Sequence, residues 1–438
     1  MNDLLRRKKE KMITQNSLDK KYISIRDGVV FHYFGSGCMA EFFSSVVAYL
    51  DEKDITIVQS CGGQQMWYEI QKDLLSKYVW DTEELDTRLT RLIKKGVLVS
   101  RKGHTKAMFS GVKGLYSPRE IVFELTNACN YKCPFCYKEA NAKGKFIEDQ
   151  IVQNINKAIS GHVRNVLLTG GEPTLHPHFL DYIELFAEYA KVHTITNGST
   201  FYEYDPNILK KLDLVQFSIY GCNDQEYLKM TGSQLGFTHL AKSIEFAQKN
   251  GIEITTAVTL CQDTMDHIDD FVNVALNFEV PTLRLGIADM FGRGKSMYDP
   301  QAEFEKKKTE ALNYIVELKR KHRQRLKIEV PNINTAHVEV HDDIYSCVHR
   351  GSLRCGCGSE YIVISPSGQV RPCQMLPEQW FAVQSANALE EHISGNFHLA
   401  ELRKSVEMYY ADQGYQISKY SPCYGLDLFM SSEDKNVG

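Results

Sequence analysis

Between about residue 121 and residue 290, short apolar runs alternate with amphipathic helical patterns. The apolar runs predict strands at 121–126, 165–170, 192–198, 214–221, 253–260 and 282–288. Between them, apolar residues recur three and four positions apart, which predicts helices at 149–160, 178–190, 238–250 and 268–278. Several strands are apolar throughout, as expected when both faces of a sheet are covered. The alternation therefore predicts an α/β fold of parallel βαβ units with right-handed crossovers.

The first 110 residues have a different pattern. Short strands are predicted within 22–35, and helices follow them. The segment 84–100 places Leu85, Leu89, Leu92 and Ile93 on one helical face, and Gly96 follows the end of that helix. Strands combined with three helices are typical of a small winged-helix domain.

Beyond the alternating region, the segment 354–376 predicts a β-hairpin. An apolar strand leads into a Ser-Pro-Ser-Gly turn, and a short second strand ends at Cys373. We therefore divide the chain into a winged-helix-like domain at 1–110, a central domain at 111–325 and a C-terminal domain at 326–438. A length of 438 residues is ample for two or three domains.

Composition narrows the class of protein. The formal net charge is -4, so no general basic surface favours a nucleic-acid partner. The charged N-terminus is followed by no apolar signal segment, and no run is long enough to span a bilayer. The 12 cysteines are clustered, which does not indicate a disulfide framework. We expect a cytoplasmic protein that binds neither nucleic acid nor membranes.

The strongest chemical signal is the cysteine triplet Cys129, Cys133 and Cys136, which follows the first predicted strand. Three residues separate the first pair and two separate the second. A 4Fe–4S cluster usually takes four thiolates, so three leave one iron open for chemistry. A structural zinc site is the alternative, although zinc sites mostly use cysteine pairs with further ligands at a distance.

This triplet resembles the signature of the radical S-adenosylmethionine (SAM) enzymes, with an aromatic residue, Phe135, before the last cysteine. The resemblance implies a partial (β/α)6 TIM-like barrel whose site lies at the C-terminal strand ends. It also implies that Cys129, Cys133 and Cys136 hold a 4Fe–4S cluster and are catalytic, while SAM binds the open iron. One electron from the cluster cleaves SAM, and a 5′-deoxyadenosyl radical then abstracts a substrate hydrogen.

Further motifs match the family at the following strand ends. Gly170, Gly171, Glu172 and Pro173 resemble the motif that receives the methionine amino group. The SAM-binding residues implied by the resemblance are Phe135, Tyr137, Gly170, Gly171, Glu172, Pro173, Thr196, Asn197 and Ser218. Many relatives carry Arg-Gly after the fourth strand, whereas this chain has Thr231–Gly232. Lys229, Arg284 and Arg293 are the candidate replacements for that arginine.

The predicted hairpin resembles that of SPASM and twitch domains, which hold auxiliary iron–sulfur clusters. Too few cysteines follow Cys373 for two clusters, so the resemblance implies one auxiliary 4Fe–4S cluster of the twitch type. The implied metal ligands are Cys355, Cys357, Cys373 and Cys423, with Cys347 as a possible substitute and zinc as the alternative metal. Cys38, Cys61, Cys222 and Cys261 are expected to be small buried side chains, although Cys222 follows a strand at the site end.

The N-terminal domain resembles the PqqD-like recognition element of enzymes that modify ribosomally made peptides. The matching features are Asp27–Gly28, the Cys61-Gly62-Gly63 segment and the helix with Trp67, Glu69 and Ile70. The resemblance implies a leader peptide that pairs with a strand edge beside a helix. It further implies a thioether or other crosslink on the precursor peptide, with an electron donor such as flavodoxin or ferredoxin. The alternatives are a peptide epimerase, a small-metabolite radical SAM cyclase and an iron–sulfur redox-sensing regulator.

Overall fold

The computed structural model describes residues 18–42, 45–288, 292–297, 302–330 and 361–371, with residue 374 and the pairs 383–384, 389–390 and 393–394. The chain separates into two compact units, and the division falls between Ser117 and Pro118. The three-domain division stays a prediction. In the described ranges, no helix combines the length and apolar character needed to cross a membrane.

The N-terminal unit contains two small sheets and three described helices. Its elements are β1 (Tyr22–Ile25), β2 (Val29–Phe34), β3 (Gly37–Phe42), β4 (Ser45–Leu50), α1 (Glu52–Ser60), β5 (Gly62–Met66), α2 (Trp67–Lys77), α3 (Thr82–Lys94), β6 (Leu98–Ser100) and β7 (Phe109–Ser110). One sheet has the order β5-β1-β6 and the other β4-β3-β2-β7. The predicted strands and helices of this part are therefore present.

Helix α3 shows why this unit folds. Asp81 caps its start by accepting a hydrogen bond from the backbone N–H of Glu84 at 2.7 Å. Leu85, Leu89 and Leu92 are fully buried, as the helical pattern predicted. They pack with Trp67, Ile23 and other buried residues in one hydrophobic core. Gly96 follows the helix with a φ of 72°, the left-handed conformation that glycine adopts without strain.

The second unit is built on one long sheet. Its strands are β8 (Glu120–Glu124), β9 (Asn165–Thr169), β10 (Lys191–Thr196), β11 (Leu214–Ile219), β12 (Ile254–Leu260), β13 (Thr282–Ile287), β14 (Lys327–Glu329), β15 (Tyr361–Ile364), β16 (Gln369–Arg371) and β17 (Val383–Gln384). The order is β14-β13-β12-β11-β10-β9-β8-β15-β16-β17. Strands β8 to β14 are parallel and stand in chain order.

Helices follow the parallel strands, as expected of βαβ units. They are α4 (Asp149–Ile159), α5 (Phe179–Ala187), α6 (Pro206–Leu209), α7 (Asp224–Thr231), α8 (Gly236–Lys249), α9 (Ile268–Asn277) and α10 (Ala302–His322). Short 3-10 turns occupy Pro173–Leu175, Phe201–Glu203, Met265–His267 and Gly292–Met297. All six predicted strands and four predicted helices are confirmed, within one to three residues at their ends. Strand β14 was not predicted.

The predicted hairpin is also confirmed. Strands β15 and β16 are antiparallel, and the turn closes where Gly368 N–H donates to the Ser365 carbonyl at 2.9 Å. The sequence did not indicate where this hairpin would lie. Strand β15 pairs in parallel with β8, so the hairpin extends the central sheet beside the strand that precedes the cysteine triplet.

Candidate active site

The cysteine triplet lies on a loop that begins just after β8. Cys129 and Cys136 are partly exposed, Cys133 is buried, and all three thiols are free. Backbone hydrogen bonds bend the loop tightly, with Cys136 N–H donating to the Cys133 carbonyl at 3.2 Å. Tyr131 N–H donates to Cys129 Sγ at 3.4 Å. The loop therefore presents its three thiols at the carboxyl end of the sheet.

The three thiols influence one another electrostatically. Burial raises the pKa of Cys129 to about 12, and the charges of Glu172 and Cys136 add to this. Burial also raises the pKa of Cys133, with further contributions from Cys129 and Cys136. Thiols whose pKa is raised in this way ionise more readily when a cation compensates their charge. This donor set fits an iron–sulfur cluster, which supplies positive iron to each thiolate.

A single metal ion needs ligands that converge on one point, whereas a cluster does not. In the described ranges, no three His, Cys, Asp or Glu side chains converge as ligands of one ion would. A cubane distributes its thiolates over separate irons, so they need not meet at one point. The predicted auxiliary ligands Cys355, Cys357, Cys373 and Cys423, and Cys347, lie outside the described residues.

The two glycines after β9 hold the start of the cysteine loop. Gly171 N–H donates to the Thr126 carbonyl at 2.6 Å, and Glu172 N–H donates to the Ala128 carbonyl at 2.8 Å. A Cβ on Gly171 would lie 2.1 Å from the Ala128 oxygen, and one on Gly170 would lie 2.4 Å from the Thr126 oxygen. Both glycines therefore approach the loop backbone closely, and their contact with SAM stays a prediction.

A third glycine, which the sequence analysis missed, completes this packing. A Cβ on Gly144 would lie 2.0 Å from the Ala128 nitrogen. The returning chain also forms isolated bridges with the loop, between Thr126 and Phe146 and between Ala128 and Asn141. The loop backbone is therefore enclosed from both sides, and no local pattern around Gly144 signals this.

Glu172 organises the neighbouring strand ends. Its carboxylate is buried and accepts hydrogen bonds from Thr174 Oγ1 at 2.7 Å, Thr196 Oγ1 at 2.6 Å and Asn197 N–H at 2.7 Å. Burial raises the pKa of Glu172, and these hydrogen bonds oppose that shift. Pro173 follows as the first residue of a short 3-10 turn. Contact of Glu172, Pro173 or Thr196 with SAM stays a prediction.

Asn197 reaches the cysteine loop directly. Its Nδ2 donates to Asn130 Oδ1 at 2.9 Å and lies 3.9 Å from Cys129 Sγ. Asn130 in turn donates to Ser199 Oγ at 2.8 Å. This network joins the end of β10 to the first cysteine, so the predicted Asn197 does lie at the site.

An aromatic wall stands on the other side of the cysteines. Phe135 is buried, and its ring lies 5.8 Å from that of Tyr220, which also contacts Tyr131 and Tyr227. Burial raises the pKa of Tyr220 well above its usual value, and the charges of Cys133 and Cys129 add to the shift. Tyr220 comes two residues after the predicted Ser218 and directly follows the end of β11. The period-2 alternation of a strand could have identified it.

The candidate replacements for the family's arginine lie in different places. Lys229 is exposed on α7. Thr231 is buried, and its carbonyl accepts a hydrogen bond from Lys132 N–H in the cysteine loop at 2.8 Å. Arg284 Nη1 donates to Gln216 Oε1 at 2.8 Å, and in the strand register Arg284 is level with Ser218 through Ala257.

Arg293 supports the cysteine loop itself. Its Nε donates to the Cys133 carbonyl and its Nη1 to the Ala140 carbonyl, both at 2.9 Å. The carbonyl of Tyr137, a predicted SAM-binding residue, lies against Gly292, whose Cβ would come within 2.4 Å. The turn Gly292–Met297 therefore packs on the loop backbone from Cys133 to Ala140.

Of the four remaining cysteines in the described ranges, three are buried as predicted and Cys222 is not. Cys38, Cys61 and Cys261 are buried. Cys222 is partly exposed, and its backbone N–H donates to Glu226 Oε2 at 2.7 Å. Burial raises the pKa of the Cys222 thiol to about 12.

Comparison with known families decides the class of the central unit. Residues 123–275 match the family model described as the radical SAM superfamily. The matched segment is similar to radical SAM domains, and it contains the three cysteines, the Gly170–Gly171–Glu172 segment and Asn197.

Two curated relatives and one solved structure are similar to this chain, each over a different share of its length. The antilisterial bacteriocin subtilosin biosynthesis protein AlbA of Bacillus subtilis is 26% identical over 281 residues, 62% of this chain and 58% of that protein. A probable GTP 3′,8-cyclase of Thermococcus kodakarensis is 32% identical over 130 residues, 28% of this chain and 42% of that protein. The chain thus spans little more than half the length of AlbA.

The fold is also found in Streptococcus suis SuiB bound to precursor peptide SuiA. That structure matches with a TM-score of 0.56 at 14% identity, over 85% of this chain and 88% of that one. At this identity the match shows a shared α/β fold with a central parallel sheet.

Proposed function

We propose that this chain is a radical SAM enzyme that modifies a ribosomally made precursor peptide. The observation that carries the proposal is the cysteine loop, which is held between Gly144 and Gly171 and joined to Asn197. Cys129, Cys133 and Cys136 would hold the cluster. When bound, the cluster and SAM together supply a carbon-centred radical that abstracts hydrogen from unactivated carbon.

The peptide substrate is supported by the N-terminal unit and by the relatives. In the described part of the second N-terminal sheet, β4 stands at one end and pairs with β3 alone. A cavity of about 880 Å³ opens beside it, between the end of β4 and helix α3. A terminal strand next to a helix is the arrangement that β-augmentation uses. AlbA, by its name, acts in bacteriocin biosynthesis. SuiB has been solved bound to a precursor peptide.

The charge of this cavity indicates what kind of leader it accepts. Its lining contains Asp51, Asp54, Asp81, Glu83 and Glu84 against Arg88 and Arg91. Arg88 is already paired with Asp51 and Asp54 at 2.8 and 2.9 Å. We therefore propose a leader segment with lysine or arginine near its apolar residues, and binding that weakens as salt rises.

The finer assignments belong to the same proposal. They are a partial barrel, a PqqD-like N-terminal domain, one auxiliary 4Fe–4S cluster of the twitch type, and an external electron donor such as flavodoxin or ferredoxin. The product would be a thioether or another crosslink in the precursor. Binding of the leader raises the effective concentration of the modified segment at the radical source.

The first test compares anaerobically reconstituted wild type with a Cys129→Ala/Cys133→Ala/Cys136→Ala variant. Two cubane clusters predict about eight irons per wild-type chain and about four in the variant. Deoxyadenosine should form from SAM in wild type alone. Zinc in place of iron, or no cleavage by wild type, would contradict the proposal.

A second test separates the substrate classes. Peptides that copurify with the anaerobic protein are identified by mass spectrometry and then incubated with SAM and reductant. A loss of two hydrogens from the peptide supports crosslinking. A mass that is unchanged in H₂O but rises through deuterium incorporation in D₂O indicates epimerisation. The cyclase alternative, favoured by the match to the Thermococcus protein, predicts turnover of GTP without any peptide.

A further inference from the structure

Three buried charged side chains meet beside the cysteine loop. Glu124 lies on β8, Lys138 follows the last cysteine by two residues, and Arg371 lies on β16. Lys138 Nζ lies 2.8 Å from Glu124 Oε1, with the two side chains 9% and 5% exposed. Arg371 Nη2 contacts the other oxygen, Glu124 Oε2, and is equally buried. The sequence analysis singled out none of these residues.

One carboxylate is therefore shared by two cations. Burial of a cation without full compensation is unfavourable, because the ion loses its hydration. Sharing leaves Lys138 only partly neutralised, so an additional negative group nearby would stabilise it. Lys138 follows Cys136 by two residues, and Glu139 N–H donates to the Cys136 carbonyl at 3.2 Å, so Lys138 and Cys136 belong to one tight turn. A thiolate at Cys136 is such a group.

A thiolate-bound cluster is an anion, and the electron it accepts makes it more negative. A fixed positive charge at short range stabilises the reduced form more than the oxidised form, and in a low-dielectric interior this effect is large. We propose that Lys138, positioned by Glu124, is the counter-charge that sets the reduction potential of the cluster held by Cys129, Cys133 and Cys136. This inference rests on the proposed function.

Arg371, the third charged side chain, connects this group to the β15–β16 hairpin. Arg371 belongs to the hairpin whose second strand leads to Cys373, a predicted auxiliary ligand. Because β15 pairs with β8 and Arg371 contacts Glu124, the same carboxylate joins the hairpin to the cysteine loop. Glu124 and Lys138 are positioning residues, since neither is a proposed ligand of iron.

The test is an anaerobic redox titration of the full-length reconstituted protein, followed by electron paramagnetic resonance. The signal that changes when SAM is added identifies the cluster of the triplet. Lys138→Met should lower the ratio of reduced to oxidised cluster about tenfold at a fixed potential, which is about 59 mV for one electron. Glu124→Gln should raise that ratio by a similar factor. Lys138→Arg keeps the charge and should leave it within about threefold of wild type.

Two further variants separate charge from structural damage. The double variant Lys138→Met/Glu124→Gln removes one charge of each sign and should return the ratio close to wild type. Glu184→Gln removes an exposed carboxylate paired with Lys211 and should change nothing. If a single variant loses its iron, the double variant and Lys138→Arg still test the inference, because both keep the net charge of wild type. Equal potentials throughout, or shifts of the same sign in both single variants, would overturn the inference. Absence of any cluster from wild type would instead contradict the proposed function.

Discussion

At the scale of single residues, close backbone packing dominates this site. Gly171 and Gly144 lie where any side chain would overlap the backbone of Ala128. Glu172 uses both carboxylate oxygens to hold Thr174, Thr196 and Asn197. The motif after β9 therefore acts first on the protein itself, because it fixes the backbone from which Cys129 extends.

Replacement of Gly171 by alanine tests this packing. The added methyl group would lie 2.1 Å from the Ala128 oxygen, so the loop must move, at a cost of about 1–3 kcal/mol. We expect the Gly171→Ala variant to retain its fold but to hold several-fold less iron after reconstitution, measured by iron assay and circular dichroism.

The matched control is Gly103→Ala. The nearest atom to its new Cβ would be Arg101 Nε at 3.9 Å, which is ordinary contact. Iron content should equal that of wild type. Full iron content in the Gly171→Ala variant would show that the loop tolerates displacement.

At the scale of elements, helix α3 has two faces with different functions. Leu85, Leu89 and Leu92 face the core, whereas Thr87, Arg88 and Arg91 line the cavity next to β4. The buried face was predictable from the 3.6-residue period. The cavity was not, because its opposite wall comes from the β2–β3 turn and the end of β4, which are distant in the chain.

A bulky residue on the cavity side of α3 should block the leader. We expect Thr87→Trp to weaken binding of a copurified precursor peptide by at least about tenfold, since the indole would fill the groove. Fluorescence anisotropy with the labelled peptide measures the affinity. Deoxyadenosine formation without peptide should not change.

Thr90→Trp is the paired control. Thr90 is exposed on the same helix but does not line the cavity. Its affinity for the peptide should match wild type. Equal weakening in both variants would mean that the leader binds elsewhere on α3, and no weakening would remove this groove from the proposal.

At the scale of the whole molecule, the chain has two compact units, and the proposed function assigns them separate tasks. The N-terminal unit has its own cluster of buried apolar residues, from Ile23 to Leu98. The second unit carries the cysteines and the segment that is similar to radical SAM domains. Recognition and chemistry should therefore be separable by substitution.

The triple cysteine variant provides the measurement. Without Cys129, Cys133 and Cys136, SAM cleavage should cease, while affinity for the precursor peptide stays within about threefold of wild type. Isothermal titration calorimetry on both proteins compares the affinities. A loss of binding in the variant would show that the peptide is held mainly through the cluster region.

The sequence by itself determined the α/β class, six strands of the sheet, helix α3 with its buried face, the β15–β16 hairpin and the cysteine triplet. These features depend on local periodicity and on spacing within a few residues, which a sequence displays directly. Asn197 was singled out by the family resemblance, at the end of a predicted strand.

Only the tertiary structure decided which distant groups meet. Gly144 against Ala128, Arg293 on the Cys133 carbonyl, Tyr220 beside Phe135, and Glu124 between Lys138 and Arg371 all join segments that are separated along the chain. The pairing of β15 with β8 likewise depends on which sheet edge remains open after the parallel strands assemble. Such contacts arise from packing and from the need to compensate buried charge, and neither has a period in the sequence.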